Sequence, residues 1–324
     1  MSEPFGTLDD VAPSFETRTR CVVGDAHCPI ESNGDGSGAS VVRTVTDWES
    51  GLGKFEIREC SRCHVNFTDP HATAESVPLL YEGRQSQDFN EAPNRVIAWL
   101  KDWFADRGAR RIVKMAERDG AFSVLDYGCG DGRSALGIAR CAPESEVWAS
   151  DFEDDPPPGM PESAPYREGR LHYLHEAKVR ASDRKFDLVV LRHVLEHYEQ
   201  PVELLELMRS HLEPGGRIFI EVPNVRSRWA RIAGDYWTGW YVPRHFTHFA
   251  FDSLRQACES AGLQVLVEQR SDIPIIGRTL HNRHREREYG TRYVAAAAAL
   301  YPVQIGVDRL SRASTCLQVV AEPR

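Results

Sequence analysis

The feature that most constrains this chain is a glycine loop set between a strand and a helix. In Val124-Leu-Asp-Tyr-Gly-Cys-Gly-Asp-Gly132 the loop follows a short apolar run, Ser123 to Tyr127, that reads as a strand. Arg133 to Arg140 then reads as a helix. Glycines in such a loop let the backbone turn tightly and approach a ligand closely. The following sequence keeps the same alternation. Glu146 to Ser150, Leu171 to Leu174, Phe186 to Leu191, Arg217 to Val222, Leu263 to Gln269 and Cys316 to Ala321 read as strands. Pro201 to Leu212 reads as a helix ending at Pro214-Gly-Gly216, and Phe251 to Ala261 as a helix stopped by Gly262. Alternating strands and helices predict an α/β fold with a mostly parallel, doubly wound, seven-stranded sheet.

The chain of 324 residues is long enough for one large core and an appendage. Residues 1–75 are polar and cysteine-bearing, with a Gly/Ser/Asp-rich loop at Glu31 to Ser40, and form a small N-terminal module. Residues 76–324 form the main domain. It begins with a helical stretch, Asn94 to Glu117, in which Gly108 leaves open one helix or two. Ser271 to Ser314 is an insertion before the last strand, with an Arg/His/Glu-rich run at His281 to Arg292 and a helix around Val294 to Ala299. It reads as a solvated surface element or as a lid or dimerisation element, so a homodimer stays open.

Hydrophobic content of 41% and charged content of 27% describe an ordinary globular protein. The net charge of −9 argues against nonspecific nucleic-acid binding. No apolar run approaches the ~20 residues of a membrane span, and Met1 to Gly6 carries no secretory signal pattern, so the cytoplasm is the expected location.

The acids around the loop bear on its ligand. A dinucleotide loop wants a glycine where this chain has Arg133, and Asp126 and Asp131 would repel a pyrophosphate. S-adenosylmethionine carries an ammonium and a sulfonium and no phosphate, so acids are tolerated. Asp151, after the second strand, is placed to take both ribose hydroxyls in a charge-assisted contact.

With these residues in view, the chain resembles the class I S-adenosylmethionine-dependent methyltransferases, whose fold is Rossmann-like. The resemblance covers about Asp88 to Arg270 and rests on five ordered motifs. They are the glycine loop, Ala149-Ser-Asp151, Phe186-Asp-Leu-Val-Val-Leu-Arg-His-Val-Leu-Glu-His197, Leu212-Glu-Pro-Gly-Gly-Arg-Ile-Phe-Ile-Glu-Val-Pro-Asn224, and His245-Phe-Thr-His-Phe-Ala-Phe-Asp-Ser-Leu254. It implies that Asp126, Gly128 and Gly130 border the methionine moiety and that Asp151 holds the ribose. Phe152 would stack on the adenine, and Arg192 would lie on the sulfonium side. Many relatives place an aspartate near the adenine amino group where this chain has His175, followed by Glu176.

Four of the eight cysteines fall before residue 64, a cluster that reads as metal ligands in a reducing compartment. Cys60-x2-Cys63 is half of a zinc knuckle. Cys21 and Cys28 are the thiols available for the other half of a structural Zn2+ site, with His27 and His64 as spare candidates; a ribbon that has lost its metal is the alternative. Cys60-Ser-Arg-Cys-His-Val-Asn-Phe-Thr-Asp-Pro70 with Leu80-Tyr81 is similar to the zinc-ribbon front end of small-molecule methyltransferases, deoxysugar C-methyltransferases among them.

Methyl transfer asks the protein mainly to align donor and acceptor. A hydroxyl or acidic-carbon acceptor is helped by a base of near-neutral pKa, which histidine fits best. His193, His197, His245 and His248 follow strand ends, and Trp240 and Tyr241 are placed to wall a substrate pocket. The resemblance puts His197 and His245 at histidine positions of the sugar C-methyltransferases. It puts Arg244 where those enzymes carry a glutamate, which suggests an anionic group on the small-molecule substrate. Two further readings stand beside this one. The first is an RNA base methyltransferase with an N-terminal zinc module, although Glu221-Val-Pro-Asn224 is not the motif such enzymes use. The second is a non-catalytic scaffold that binds S-adenosylmethionine.

Overall fold

The structure is a computed structural model, and it describes residues 14–16, 38–73, 76–81, 95–117, 120–284, 290–311 and 313–324. Cys21 and Cys28, and most of the expected loop at Glu31 to Ser40, lie outside these residues.

The strands are β1 (Phe15–Glu16), β2 (Ala39–Thr46), β3 (Lys54–Cys60), β4 (Asn66–Asp69), β5 (His71–Ala72), β6 (Ser123–Tyr127), β7 (Glu146–Asp151), β8 (Leu171–His175), β9 (Phe186–Arg192), β10 (Leu212–Pro223), β11 (Thr247–His248), β12 (Leu263–Ser271) and β13 (Cys316–Pro323). The helices are α1 (Arg95–Ala116), α2 (Arg133–Cys141), α3 (Ala164–Arg167), α4 (Glu176–Arg180), α5 (Pro201–Ser210), α6 (Arg228–Ala233), α7 (Phe251–Ser260), α8 (Ile276–His284) and α9 (Thr291–Ser311).

The main sheet has seven strands in the order β12-β13-β10-β9-β6-β7-β8. The five strands from β10 to β8 run parallel, while β13 is antiparallel to both β10 and β12. Successive residues of β9 enter different cores. Leu188 and Val190 join Ala109, Ile112, Ile138 and Ala139 of α1 and α2. Val189 and Leu191 join Leu204, Leu205, Leu254 and Ala257 of α5 and α7. A strand covered on both faces needs an unbroken apolar run, which Phe186 to Leu191 supplies. The chain moves outward from β6 through β7 to β8 and then returns to β9 on the other side of β6. That reversal opens a crevice beyond the carboxyl ends of β6 and β9.

Three boundaries differ from the sequence reading. Gly108 does not divide α1, because the flanking Ala109 and Ile112 are buried and packing outweighs its weak helix propensity. β10 begins at Leu212, which pairs with Phe186, and the Pro214-Gly-Gly216 turn forms an irregularity before pairing resumes at Arg217. Ala39 and Ser40 already belong to β2, paired with Cys60 and Glu59.

A second, antiparallel sheet has the order β11-β4-β3-β2, so residues from 39–69 pair with Thr247–His248 far along the chain. Cys60, Cys63, Val65 and Phe67 pack in one cluster with Val222, Phe249 and Leu254 of the main domain. Between residues 271 and 314 the chain forms α8 and the longer α9, which extends well past the expected Val294 to Ala299. Buried Gln304 accepts the Ile275 amide and donates to the Ile273 carbonyl, fastening α9 beneath the segment after β12. Among the described residues no helix is long and apolar enough to cross a membrane.

Candidate active site

The glycine loop leaves β6 with Gly128 at φ +73°, where an added Cβ would stand 2.5 Å from Val194 Cγ2. Only glycine fits there. The amides of Gly128 and Cys129 donate to the Ser150 carbonyl at 2.7 and 2.9 Å, which closes the loop onto the end of β7. Asp151 ends that strand. Its Oδ2 accepts the Gly130 amide at 2.7 Å and its Oδ1 accepts the Phe152 amide at 2.9 Å, so the carboxylate is held at the rim of the crevice. Burial raises its pKa, while those two amides oppose the shift.

Asp126 lies deeper, 1% exposed, and its Oδ2 has no hydrogen-bond partner. Burial pushes its pKa up to about 6 against the pull of Arg192. Asp131 departs from the expectation placed on it. Its carboxylate accepts from Arg133 Nε at 3.0 Å, and Arg133 also bonds Asp102, so its charge is compensated outside the loop. Of the two acids set against a pyrophosphate, Asp126 is left to carry the case.

Register places His175 of β8 opposite Asp151. Its Nδ1 accepts the Ala177 amide and caps α4. Glu176 accepts hydrogen bonds from the hydroxyls of Tyr127 and Tyr198 at 3.0 and 3.1 Å. Phe152 is 44% exposed, and its ring centroid lies 5.9 Å from that of Tyr81. Both positions expected near the adenine thus lie beside Asp151, with Glu176 Oε2 and His175 Nδ1 already partnered within the protein.

On the far side of the loop, β9 ends at Arg192, and His193 follows at φ +54°. His193 Nδ1 lies 3.3 Å from Glu196 Oε1, and its Nε2 lies 3.4 Å from Glu221 Oε1. Burial opposes its charge, but the bonds to these two carboxylates outweigh burial and push its pKa up to about 9. Burial would raise Glu221, yet Arg192 and His193 hold it down to about 2. The expectation of His193 as a base is corrected on these grounds. A carboxylate within 3.4 Å of each ring nitrogen favours the protonated ring, which has no lone pair to offer.

His197 and His245 differ. His197 Nδ1 lies 3.2 Å from the Arg244 carbonyl and 2.9 Å from the Tyr81 hydroxyl. His245 Nδ1 lies 2.9 Å from the Gly239 carbonyl. A carbonyl can only accept, so in His245 Nδ1 carries the proton and Nε2 the lone pair. His197 Nδ1 shares its place between the Arg244 carbonyl, which accepts, and the closer Tyr81 hydroxyl, which can donate or accept. Burial lowers the pKa of each, and for His245 the neighbouring His197 and His248 add to it. The two rings are 4.5 Å apart.

The residues expected to wall a substrate pocket are distributed unevenly. Tyr241, at φ +38°, places its ring 5.1 Å from His245 and 6.2 Å from His197. Trp240 is buried, and its indole N–H donates to the Gly234 carbonyl. His248 is also buried. The Thr68 hydroxyl donates to the His245 carbonyl, so His248 Nε2 donates to Thr68, and the ring ties β11 to β4. Burial lowers its pKa to about 3. Arg244 is 1% exposed, with Nε and Nη2 donating to the Leu80 carbonyl and Nη2 also to Ser50 Oγ. Its guanidinium lies 5.9 and 5.2 Å from the rings of Tyr81 and Tyr241. His248 thus has a fastening role in place of the expected substrate contact, while Arg244 is fastened through Nε and Nη2 and keeps a buried Nη1 with no hydrogen-bond partner.

Three contributors went unassigned in the sequence. Glu196 lies between two residues that were singled out, Arg192 and His197, but nothing in the sequence marks it as buried. Glu221 sits inside an apolar strand, where a lone acid was a visible signal. Tyr81 adjoins Leu80 in a quoted motif, and only the fold brings it to His197.

A family model described as a methyltransferase domain matches residues 91–268, just over half of the chain. Among curated proteins, the chain is similar to a mitochondrial ubiquinone biosynthesis O-methyltransferase of Schizosaccharomyces pombe. The two are 34% identical over 100 residues, covering 30% of this chain and 36% of the relative. It is also similar to a tRNA U34 carboxymethyltransferase of Idiomarina loihiensis, 28% identical over 134 residues and covering 38% of each. The chain therefore spans rather more than a third of these relatives. Of solved structures, the [4+2]-cyclase SpnF superposes with a TM-score of 0.49 at 16% identity, covering 78% of this chain and 98% of that one.

Proposed function

This chain belongs to the methyltransferase-domain family, and we propose that it moves the methyl group of S-adenosylmethionine to a small-molecule acceptor with help from a histidine base. The observation that carries this reading is a juxtaposition. Tyr81 stands between the two groups: its ring lies 5.9 Å from that of Phe152, which follows the fixed carboxylate of Asp151, and its hydroxyl lies 2.9 Å from Nδ1 of His197, whose ring is 4.5 Å from His245.

The residues fit the cofactor. The glycine loop is closed at Gly128 against Val194, and at the end of the strand before it a buried oxygen of Asp126 has no partner within the protein. Asp151 would take the ribose hydroxyls, with Phe152 at the adenine and His175 and Glu176 beyond it. Arg192, Asp126 and Gly130 would border the methionine end. When bound, S-adenosylmethionine supplies the methyl group on a sulfonium, which is a good leaving group. His197 or His245 would take up the acceptor's proton at Nε2, each ring being held by a backbone carbonyl at Nδ1. Tyr241 would wall the acceptor, and His193 would hold Glu196 and Glu221 in place. A calorimetric titration should show one S-adenosylmethionine per chain, and no binding would end this reading.

The same proposal includes a structural zinc held by Cys60, Cys63, Cys21 and Cys28. Cys60 and Cys63 stand on one tight turn, where the His64 amide donates to the Cys60 carbonyl at 3.0 Å, a donor set that suits zinc. Zinc content that is undiminished in Cys60→Ser protein would refute the site. It also includes a cytoplasmic location, where such thiols stay reduced.

A second reading, action on RNA, is favoured by one observation, the name of the tRNA-modifying relative. Salt-dependent RNA binding would support it, and the net charge of −9 speaks against it.

A further inference from the structure

We propose that Glu196, His197 and His245 form a site for a first-row divalent cation, and that the cation binds an oxygen of the acceptor. This rests on the reading above, in which the histidine pair faces the acceptor, and it narrows that acceptor to a hydroxyl or enol.

The geometry is that of two imidazoles and one carboxylate. One ligand-type atom from each residue lies within 4.8 Å of those from the other two. Ligands about one ion stand closer than that, at metal–ligand distances of about 2.0–2.2 Å, so modest side-chain adjustment closes the set. The three residues arrive from two segments, the turn after β9 and the stretch before β11.

The chemistry of the atoms is the stronger argument. With its Nδ1 proton directed to the Gly239 carbonyl, His245 turns a lone pair rather than a proton to its other side, and His197 does the same when its Nδ1 donates to the Arg244 carbonyl and the Tyr81 hydroxyl. His245 Nε2 stands 4.0 Å from Glu196 Oε1. Glu196 is 1% exposed, and its Oε2 is buried with no hydrogen-bond partner. His245 Nε2 and Glu196 Oε1 thus meet as two acceptors, and the second Glu196 oxygen is left without a donor. A buried carboxylate oxygen in that position costs free energy unless something positive meets it. His193 meets only the other oxygen, Oε1. The carbonyl bonds at Nδ1 are also the outer contacts that orient metal-binding histidines and fix their tautomer. Three protein ligands leave coordination positions open for an acceptor oxygen, whose proton a bound cation makes easier to lose. In that state the Nε2 lone pairs are ligands, and the cation takes over the activating task assigned to the base.

The test uses Mn2+ on chelator-stripped full-length protein, followed by its electron paramagnetic resonance signal, with S-adenosylmethionine titrated in parallel. Mn2+ prefers oxygen and nitrogen to thiolate, which keeps the cysteines out of the reading. The wild type and Cys60→Ser should bind one Mn2+ per chain. The isosteric Glu196→Gln and the half-buried His197→Ala should each lose at least about tenfold in Mn2+ affinity, while S-adenosylmethionine affinity is kept. No Mn2+ binding by the wild type, or binding unchanged in both variants, would overturn the cation site and leave the histidine base standing. Loss of S-adenosylmethionine binding in the wild type would instead strike the reading on which the site rests.

Discussion

The rings of His197 and His245 stand 4.5 Å apart at 80°, each anchored through Nδ1 to a backbone carbonyl. The carbonyl that orients His245 belongs to Gly239 in its own segment, whereas the one beside His197 belongs to Arg244, far along the chain. If this pair activates the acceptor, replacing either histidine with alanine should lower kcat by about 10²–10⁴. Affinity for S-adenosylmethionine should stay unchanged. Single-turnover kinetics beside a binding titration checks both halves, and an unaltered kcat in both variants would remove the pair from the chemistry.

Arg244 gives a prediction of the opposite kind. Its bonds to Leu80 and Ser50 lie inside the protein and join residues 76–81 to the acceptor wall. Arg244→Met should cost about 1.5–3 kcal/mol of stability for each charge-assisted bond lost, seen as a lowered Tm. An anion-binding arginine would behave differently, with a raised KM and an unchanged Tm.

Asp308 of α9 makes stability depend on pH. It is buried, both its oxygens lack hydrogen-bond partners by distance and angle, and it faces Asp272. Burial, and then the charge of Asp272, push its pKa from 3.8 up to about 7. The native state thus holds this proton more tightly than the unfolded chain does. The stabilisation is complete below the unfolded value near 4, falls as pH rises, and is gone above about 7. Asp308→Asn should flatten that part of the curve. Thermal melts of both proteins at pH 5 and pH 8 read it, and parallel curves would rule out Asp308 as the cause.

The main sheet was legible because its signals are local. Phe186 to Leu191 is apolar throughout since both faces are covered, and Gly128 is fixed by its own backbone and by Val194. What escaped was what depends on distant partners. The pairing of Thr247 with Phe67 joins segments far apart in sequence, and no periodicity announces it. The same pairing takes His248 out of the site and delivers His245 to it. Asp131 looked like a loop acid until Arg133, two residues on, took its charge. His193 and His197 look alike in sequence, and only the two carboxylates around His193 set their protonation apart.

The central claim is that the crevice beside the glycine loop holds S-adenosylmethionine through Asp151. Titrating S-adenosylmethionine into the wild type and Asp151→Ala tests it most directly. Loss of a charge-assisted contact worth about 1.5–3 kcal/mol should weaken binding by roughly ten- to a hundredfold in the variant. Equal affinity in the two proteins would contradict the account.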